Sequence, residues 1–340
     1  MQPGPTLIPF LTPDRRAVPL VLSGFGAVGQ SFIEATKARQ QGDVHVAAIR
    51  GRTSEILLGP QSNVPDRTSW DPLSSVDVTL KRTGAAILVQ AIPSSKEAHQ
   101  RAVEEATTAL RRGVHVVTAT KSHLLTHWRE LEEAAQTGGS RIRISGATGA
   151  ALPTADLARV GLQGFDCQAL RACPNGTSTF VLDQLSNGGK FQDSVLEAQR
   201  RGIAEADTRA DLTGSDSATK LRLVAGLLWG WDVAQIKVET ESIDEGTSAQ
   251  AFLAAQRGLR LRAVASASLH QPMMVNVRLE RVPPSDPLFH LTGPEKAMVF
   301  HCPEAGDITV QGGRSSPIGA AMAMLKDVLN LTESDPTGYN

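Results

Sequence analysis

Three cysteines in 340 residues, Cys167, Cys173 and Cys302, are too few and too unevenly spaced for a disulfide framework or a zinc site. Such sparse use fits a reducing compartment, so a cytoplasmic setting is expected. Aromatic residues make up only 4 % of the chain, which speaks against a platform for stacking bases or sugars. Neither sign of charge is in excess. With 34 basic and 35 acidic side chains the formal charge is −1, and no nucleic-acid partner is expected. Apolar runs end after about eight residues, where about 20 are needed to cross a bilayer, so no membrane partner is expected either. The opening residues are polar and proline-rich and hold no apolar stretch of signal-peptide length.

What remains is a mixed α/β chain long enough for two domains. Residues 1–17 read as a loose arm. Residues 18–23 are an apolar β-type run that meets Gly24-Phe25-Gly26-Ala27-Val28-Gly29, followed by a helix over 30–41 and a second strand over 44–49. Strand, glycine-rich turn, helix and strand form the opening unit of a Rossmann-type, doubly wound parallel sheet. The alternation continues: strands over 85–92, 114–118 and 141–145, and helices over 95–112 and 128–136. The character changes after residue 155. Helices over 191–201 and 216–229 precede strand-like runs over 262–269, 273–281, 297–302 and 307–311, which suggests an α+β catalytic and dimerisation domain. The expected division is a dinucleotide-binding domain over 18–155, completed by a C-terminal helix within 312–332, a second domain over 156–311, and a loose tail over 333–340.

In the glycine-rich turn the first glycine allows the tight bend. The second lets the backbone approach a pyrophosphate, and the third lets helix and strand pack closely. The helix N-terminus then offers amide donors to the phosphates. An NAD site usually has an acid at the end of the second strand for the ribose 2′-hydroxyl. Here the stretch is Ile49-Arg50-Gly51-Arg52-Thr53, with no acid. Arg50 and Arg52 suit a 2′-phosphate, so NADP is expected as cofactor, with NAD possible. Ordinary surface arginines are the alternative reading.

Residues 202–220 carry Glu205, Asp207, Asp211 and Asp216, followed by Lys220. Thr213 or Ser215 can cap a helix whose first turn holds Asp216, which puts Lys220 at i+4 on the same face. Such a pair can be a surface ion pair worth about 0.3–0.5 kcal/mol. It can instead be a proton-transfer pair in a cleft. Spacing alone leaves both open. His123 and His127 are also four apart but lack the Glu and third ligand of a zinc helix, and no metal is expected.

Leu196-Glu197-Ala198-Gln199, Ala204-Glu205-Ala206-Asp207 and Gly214-Ser215-Asp216-Ser217-Ala218-Thr219-Lys220 resemble the signature of the homoserine dehydrogenase family. Asn175-Gly176-Thr177-Ser178 resembles that family's Asn-Gly-Thr turn, and Val116-Val117-Thr118-Ala119-Thr120-Lys121 its strand end before a lysine. The resemblance spans about residues 18–330. It implies reduction of aspartate 4-semialdehyde to homoserine, a step of amino-acid biosynthesis, by a monofunctional homodimer. Lys220 would be the proton donor and acceptor, Asp216 its partner, and Lys121 would sit between nicotinamide and substrate. Glu205 would hold the substrate ammonium, with Asp211, Asn175 and Thr177 also at the substrate. Ser94, Lys121 and Gly149 would join Gly24, Phe25, Gly26, Ala27, Val28, Gly29, Arg50 and Arg52 around the cofactor.

The departures from the pattern fall near the site. Where the family has an acid followed by Val-Gly-Gly-Gly, Ile or Leu, and Pro, this chain has Ser145-Gly146-Ala147-Thr148-Gly149-Ala150-Ala151-Leu152-Pro153. Ile92, Thr120 and Thr179 also stand where the family has Thr, Asn and Asn. Proton-transfer residues are kept while shape-determining ones change. An enzyme of the same chemistry with another hydroxy acid or aldehyde as substrate is therefore the alternative, and a non-catalytic dinucleotide sensor a remote one.

Overall fold

The computed structural model describes residues 17–39, 43–60, 62–313 and 315–332. The arm expected over 1–17, apart from Ala17, and the tail over 333–340 lie outside the described residues. In chain order the first half contains β1 (Val18–Ser23), α1 (Ala27–Ala38), β2 (Val44–Arg50), β3 (Ser54–Leu57), β4 (Asp71–Pro72) and α2 (Val76–Thr83). It continues with β5 (Ile87–Gln90), α3 (Lys96–Arg111), β6 (His115–Thr118), α4 (Trp128–Gly138) and β7 (Ile142–Arg143). Among the described residues these strands form a seven-stranded sheet ordered β4-β3-β2-β1-β5-β6-β7. It is parallel from β2 to β7, with β3 and β4 added antiparallel at one edge.

Alternating side chains explain the layering. Leu20 and Leu22 of β1 enter a core shared with Phe32 and Ile33 of α1, while Val21 faces the opposite core with Leu80, Leu110 and Leu131. The chain leaves β1 toward β2 on one side and returns to β5 on the other. The crevice at the C-terminal ends of β1 and β5 is therefore a topological switch point, where such sheets bind ligands. Helix α3 starts at Ser95, whose Oγ accepts from the Ala98 amide, with Glu97 in its first turn and Arg111 in its last.

The second half runs α5 (Thr154–Asp156), β8 (Ala169–Cys173), α6 (Gly176–Ser186), α7 (Phe191–Arg200), α8 (Arg209–Leu212), α9 (Ser215–Trp229) and β9 (Lys237–Thr240). Then come α10 (Thr247–Gln256), β10 (Arg260–Ser268), β11 (Gln271–Val282), β12 (Lys296–Cys302), β13 (Gly306–Gly312) and α11 (Pro317–Thr332). A six-stranded sheet, ordered β13-β12-β8-β10-β11-β9, is antiparallel except for the β9–β11 pair. The apolar run Phe180–Leu185 lies in α6 and is buried on several faces, which is why it shows no amphipathic pattern. Leu170, Ala172, Met298 and Phe300 pack beneath Leu221, Val224 and Ala225 of α9.

Helix α11 returns to the first sheet, where Ala321, Met324, Leu325 and Val328 join the core that contains Phe32. It also fastens the altered loop over 145–153. The Ser145 amide and hydroxyl donate to the two carboxylate oxygens of buried Asp327, at 3.0 and 2.8 Å. Within that loop Ala150 has φ of +53°, a left-handed conformation that a Cβ disfavours. Ala150→Gly is therefore expected to stabilise the protein by about 0.5–1 kcal/mol, the relieved strain exceeding the added chain entropy. A urea midpoint at or below that of the wild type would contradict strain at this position.

Candidate active site

Three short-range arrangements bring the site together. Strand β8 ends at Cys173 and turns the carbonyl of buried Pro174 toward Lys220, and Asn175 then caps α6, its Oδ1 accepting from the Ser178 amide. Helix α9 starts at Gly214, which has φ of +77° and no side-chain cap. The capping role expected of Thr213 or Ser215 is a misreading, because their hydroxyls donate to the carbonyls of Arg209 and Ala210. A Cβ at Gly214 would lie 2.9 Å from Val277 Cγ1, so close packing as well as backbone sign requires glycine there. The third arrangement is the turn after β6, where Ser94 Oγ accepts from the Lys121 amide and fixes the backbone that carries that lysine.

These starts converge on Asp216. Its Oδ1 lies 2.6 Å from Lys121 Nζ and its Oδ2 lies 2.6 Å from Lys220 Nζ. Asn175 Nδ2 donates to Asp216 Oδ2 at 2.8 Å and to Asp211 Oδ1 at 2.6 Å. Lys220 also donates to the Pro174 carbonyl at 3.0 Å. Asp216 and Lys220 are 13 % and 12 % exposed, so this is a cleft pair and the surface reading falls. Burial alone would raise the Asp216 carboxyl, but the ammonium groups of Lys220 and Lys121 outweigh it and hold the carboxyl far below the usual range. The carboxylate of Asp216 therefore stays ionised between the two lysines throughout the neutral range.

Other expected site residues are placed more loosely. Thr177 is buried, with its hydroxyl donating to the Ile203 carbonyl, and so ties α6 to the acidic loop. Glu205 is exposed on that loop, and Asp207 beside it pairs with Arg209. His123 is fully buried, and burial first, then the charges of His99 and His127, push its imidazole down to about 3. It sits neutral in the interior, and no cluster of metal-ligating side chains occurs among the described residues. Sequence reasoning missed Lys296. It is 1 % exposed at the start of β12, and its Nζ donates to the Gly149 carbonyl at 2.9 Å.

The cofactor end lies at the switch point. A Cβ at Gly24 would fall 2.3 Å from the Ala91 carbonyl oxygen, and one at Gly29 would fall 2.1 Å from that of Gly24. A Cβ at Gly26 would meet nothing within 4 Å. Gly24 and Gly29 thus make the turn and helix packing possible, while Gly26 leaves its face open to a ligand. Ala27, Val28 and Gly29 form the first turn of α1, which no side chain caps, so the helix end fits a pyrophosphate. The Phe25 carbonyl accepts from exposed Arg67, whose guanidinium also stacks over the Phe25 ring.

Arg50 does not do what its position in the sequence suggests. Its guanidinium is turned inward, 2.7 Å from Glu55 Oε2 and 3.2 Å from Glu105 Oε1, and donates to the Ser74 carbonyl. With its side chain 3 % exposed and its donors spent on two buried carboxylates, it is not a ligand for a 2′-phosphate. Arg52, one turn beyond, remains exposed.

An open glycine turn at a switch point, facing a buried lysine–carboxylate–lysine set, defines an NAD(P)-dependent dehydrogenase. The family model described as homoserine dehydrogenase matches residues 153–329, and that described as the homoserine dehydrogenase NAD binding domain matches residues 24–145. The chain belongs to the homoserine dehydrogenase family. It is 28 % identical over 342 aligned residues to a homoserine dehydrogenase of Methanocaldococcus jannaschii, covering 93 % of this chain and 98 % of the relative. Its fold matches a homoserine dehydrogenase of Thiobacillus denitrificans with TM-score 0.79 at 22 % identity, over 93 % of this chain and 73 % of the other. A hyperthermophilic archaeal homoserine dehydrogenase in complex with NADPH gives TM-score 0.76 at 24 % identity, over 93 % and 98 %. These matches do not favour the changed-substrate reading.

The inward pairing of Arg50 has a direct consequence. Arg50→Met removes the cation that buried Glu55 and Glu105 share, leaving Arg101 on Glu105 and only the 3.9 Å contact of Arg82 on Glu55, and is expected to cost about 3 kcal/mol of stability in denaturant unfolding. A variant as stable as the wild type that binds NADP more weakly would restore Arg50 as a cofactor ligand.

Proposed function

We propose that this chain interconverts homoserine and aspartate 4-semialdehyde, with NADP preferred over NAD and Lys220 moving the proton at the substrate oxygen. The observation that carries the reading is the Lys121–Asp216–Lys220 set, which joins the turn after β6 of the first sheet to helix α9 of the second half. The nicotinamide supplies the hydride acceptor or donor when bound. Everything else falls to side chains.

In oxidation, uncharged Lys220 takes the hydroxyl proton as the carbinol carbon loses hydride. In reduction its ammonium stabilises the developing alkoxide and protonates it. Asp216 holds both lysines at fixed positions and balances part of their charge. Lys121 carries a second ammonium to the boundary between cofactor and substrate, where a substrate carboxylate can bind. Glu205, on the exposed acidic loop, supplies a carboxylate for the substrate ammonium, with Asp211, Asn175 and Thr177 shaping that end. Gly24, Phe25, Gly26, Ala27, Val28, Gly29, Ser94 and Gly149 border the cofactor, and Arg52 takes the 2′-phosphate. The complex of an archaeal relative with NADPH supports the choice of cofactor.

The same reading divides the chain into a dinucleotide-binding domain over 18–155, joined by 312–332, and a catalytic domain over 156–311. It also makes the protein a cytoplasmic homodimer through the second sheet, whose helices α6, α9 and α10 lie on one face. No helix among the described residues is long and apolar enough to cross a membrane.

The test is homoserine oxidation at alkaline pH with NADP and NAD in parallel. Lys220→Ala is expected to lower kcat by about 10²–10⁴-fold while NADPH still binds by fluorescence titration. Arg52→Ala is expected to raise KM for NADP and leave that for NAD nearly unchanged. Absence of homoserine turnover in a wild-type protein that binds NADPH would overturn the substrate.

A further inference from the structure

Lys296 opens β12 on the face where Met298 and Phe300 pack beneath α9. A charge in such a place is costly unless it is held by partners. This one forms no ion pair among the described residues, and its Nζ donates to a single acceptor, the Gly149 carbonyl. It borders a cavity of about 10 Å³ that is also lined by Lys220, Pro174, Thr148 and Thr154. Lys296 is thus joined on one side to the middle of the 145–153 loop and faces the proton-transferring lysine on the other.

The charged groups around it are few. Helix α9 presents Lys220 and Asp216, and Lys121 reaches in from the first sheet. The loop offers a carbonyl and hydroxyls, and neighbouring strand β8 is followed by Pro174, with the Cys173 thiol in a separate core cluster. Lys121 and Lys220 each hold one oxygen of Asp216, while Lys296 lies near enough to feel their charges without pairing with that carboxylate.

We infer that Lys296 is a positioning residue of the dehydrogenase reaction, clamping the Gly149 carbonyl to the second sheet and adding a positive charge behind Lys220. The clamp fixes the loop that Ser145 and Asp327 anchor at its other end. The added charge repels the neighbouring ammonium of Lys220 and so favours release of a proton there to the substrate. Burial, with the like charge of Lys220 next, pushes Lys296 itself down to about 8, in keeping with a site where positive charge is in excess. This inference rests on the homoserine reading of the site, so one readout is chosen that needs no substrate.

Lys296→Met keeps the volume and removes both the donor and the charge. Hydrogen exchange of the loop amides between 147 and 152 is expected to quicken at least about tenfold, the loss of roughly one hydrogen bond to a charged group. The limb of the pH profile of kcat for homoserine oxidation that reports the lysine cluster is expected to move up by about one pH unit. The sign follows because removing one positive neighbour makes the remaining ammonium groups hold their protons more tightly. Lys296→Arg, which restores donor and charge, is expected to return both readouts toward wild type. A wild-type circular dichroism spectrum certifies the fold, and Lys296→Gln replaces Met as the uncharged variant if Lys296→Met fails to fold. Either readout left at its wild-type value in a folded uncharged variant overturns the inference. If the wild type does not oxidise homoserine, the proposed function fails, and loop exchange alone then decides the clamp.

Discussion

A single carboxylate, that of Asp216 on α9, is shared by two lysines, Lys220 one turn along the same helix and Lys121 from the turn after β6. In a half-dry cleft an unpaired carboxylate would take up a proton and two unpaired ammonium groups would repel one another. Together they lock into one geometry, with both oxygens occupied at 2.6 Å. The interaction fixes the end of β6 against the first turn of α9, and so sets how the cofactor crevice meets the second sheet. Asn175 extends the lock by donating to Asp216 and Asp211 at once while capping α6. One amide group therefore aligns two helices and the proton-transfer pair.

The rest of the molecule holds that junction still. Both faces of the first sheet are filled, one by α2, α3 and α4 and the other by α1 together with the late helix α11. Because α11 comes after the second sheet in the chain, its return ties the two halves together. Asp327 on that helix grips Ser145, and Lys296 on β12 grips Gly149, so the loop between the sheets is held from both sides. Ala150 carries its unfavourable backbone sign immediately after the second of these anchors, where surrounding bonds can maintain it.

Much of this was legible in the sequence because it depends on local spacing. The strand, glycine turn and helix at residues 18–38 need only neighbours to be recognised, and the glycines sit where close approach demands them. Asp216 and Lys220 share a face because they are one helical turn apart. What local spacing does not carry is the identity of distant partners. Arg50 reads as a phosphate ligand until Glu105, 55 residues further on, is seen beside it. Lys296 stands in an apolar strand 147 residues from the carbonyl it holds, and no periodicity signals that. Gly214 serves as a cap through its backbone sign, whereas Thr213 and Ser215 are the side chains that usually cap helices. Edge strands β4 and β9, and β3 next to β4, are short and mixed in composition, so they give no alternating pattern to read.

The decisive measurement is steady-state kinetics of Asp216→Asn, which keeps the shape of the side chain but removes its charge and turns one of its two acceptors into a donor. If a shared negative charge organises the two lysines, kcat for homoserine oxidation falls by about 10²-fold or more while NADPH affinity and circular dichroism stay at wild-type values. A folded Asp216→Asn protein that turns over homoserine at the wild-type rate would show that the two lysines are placed and charged without it.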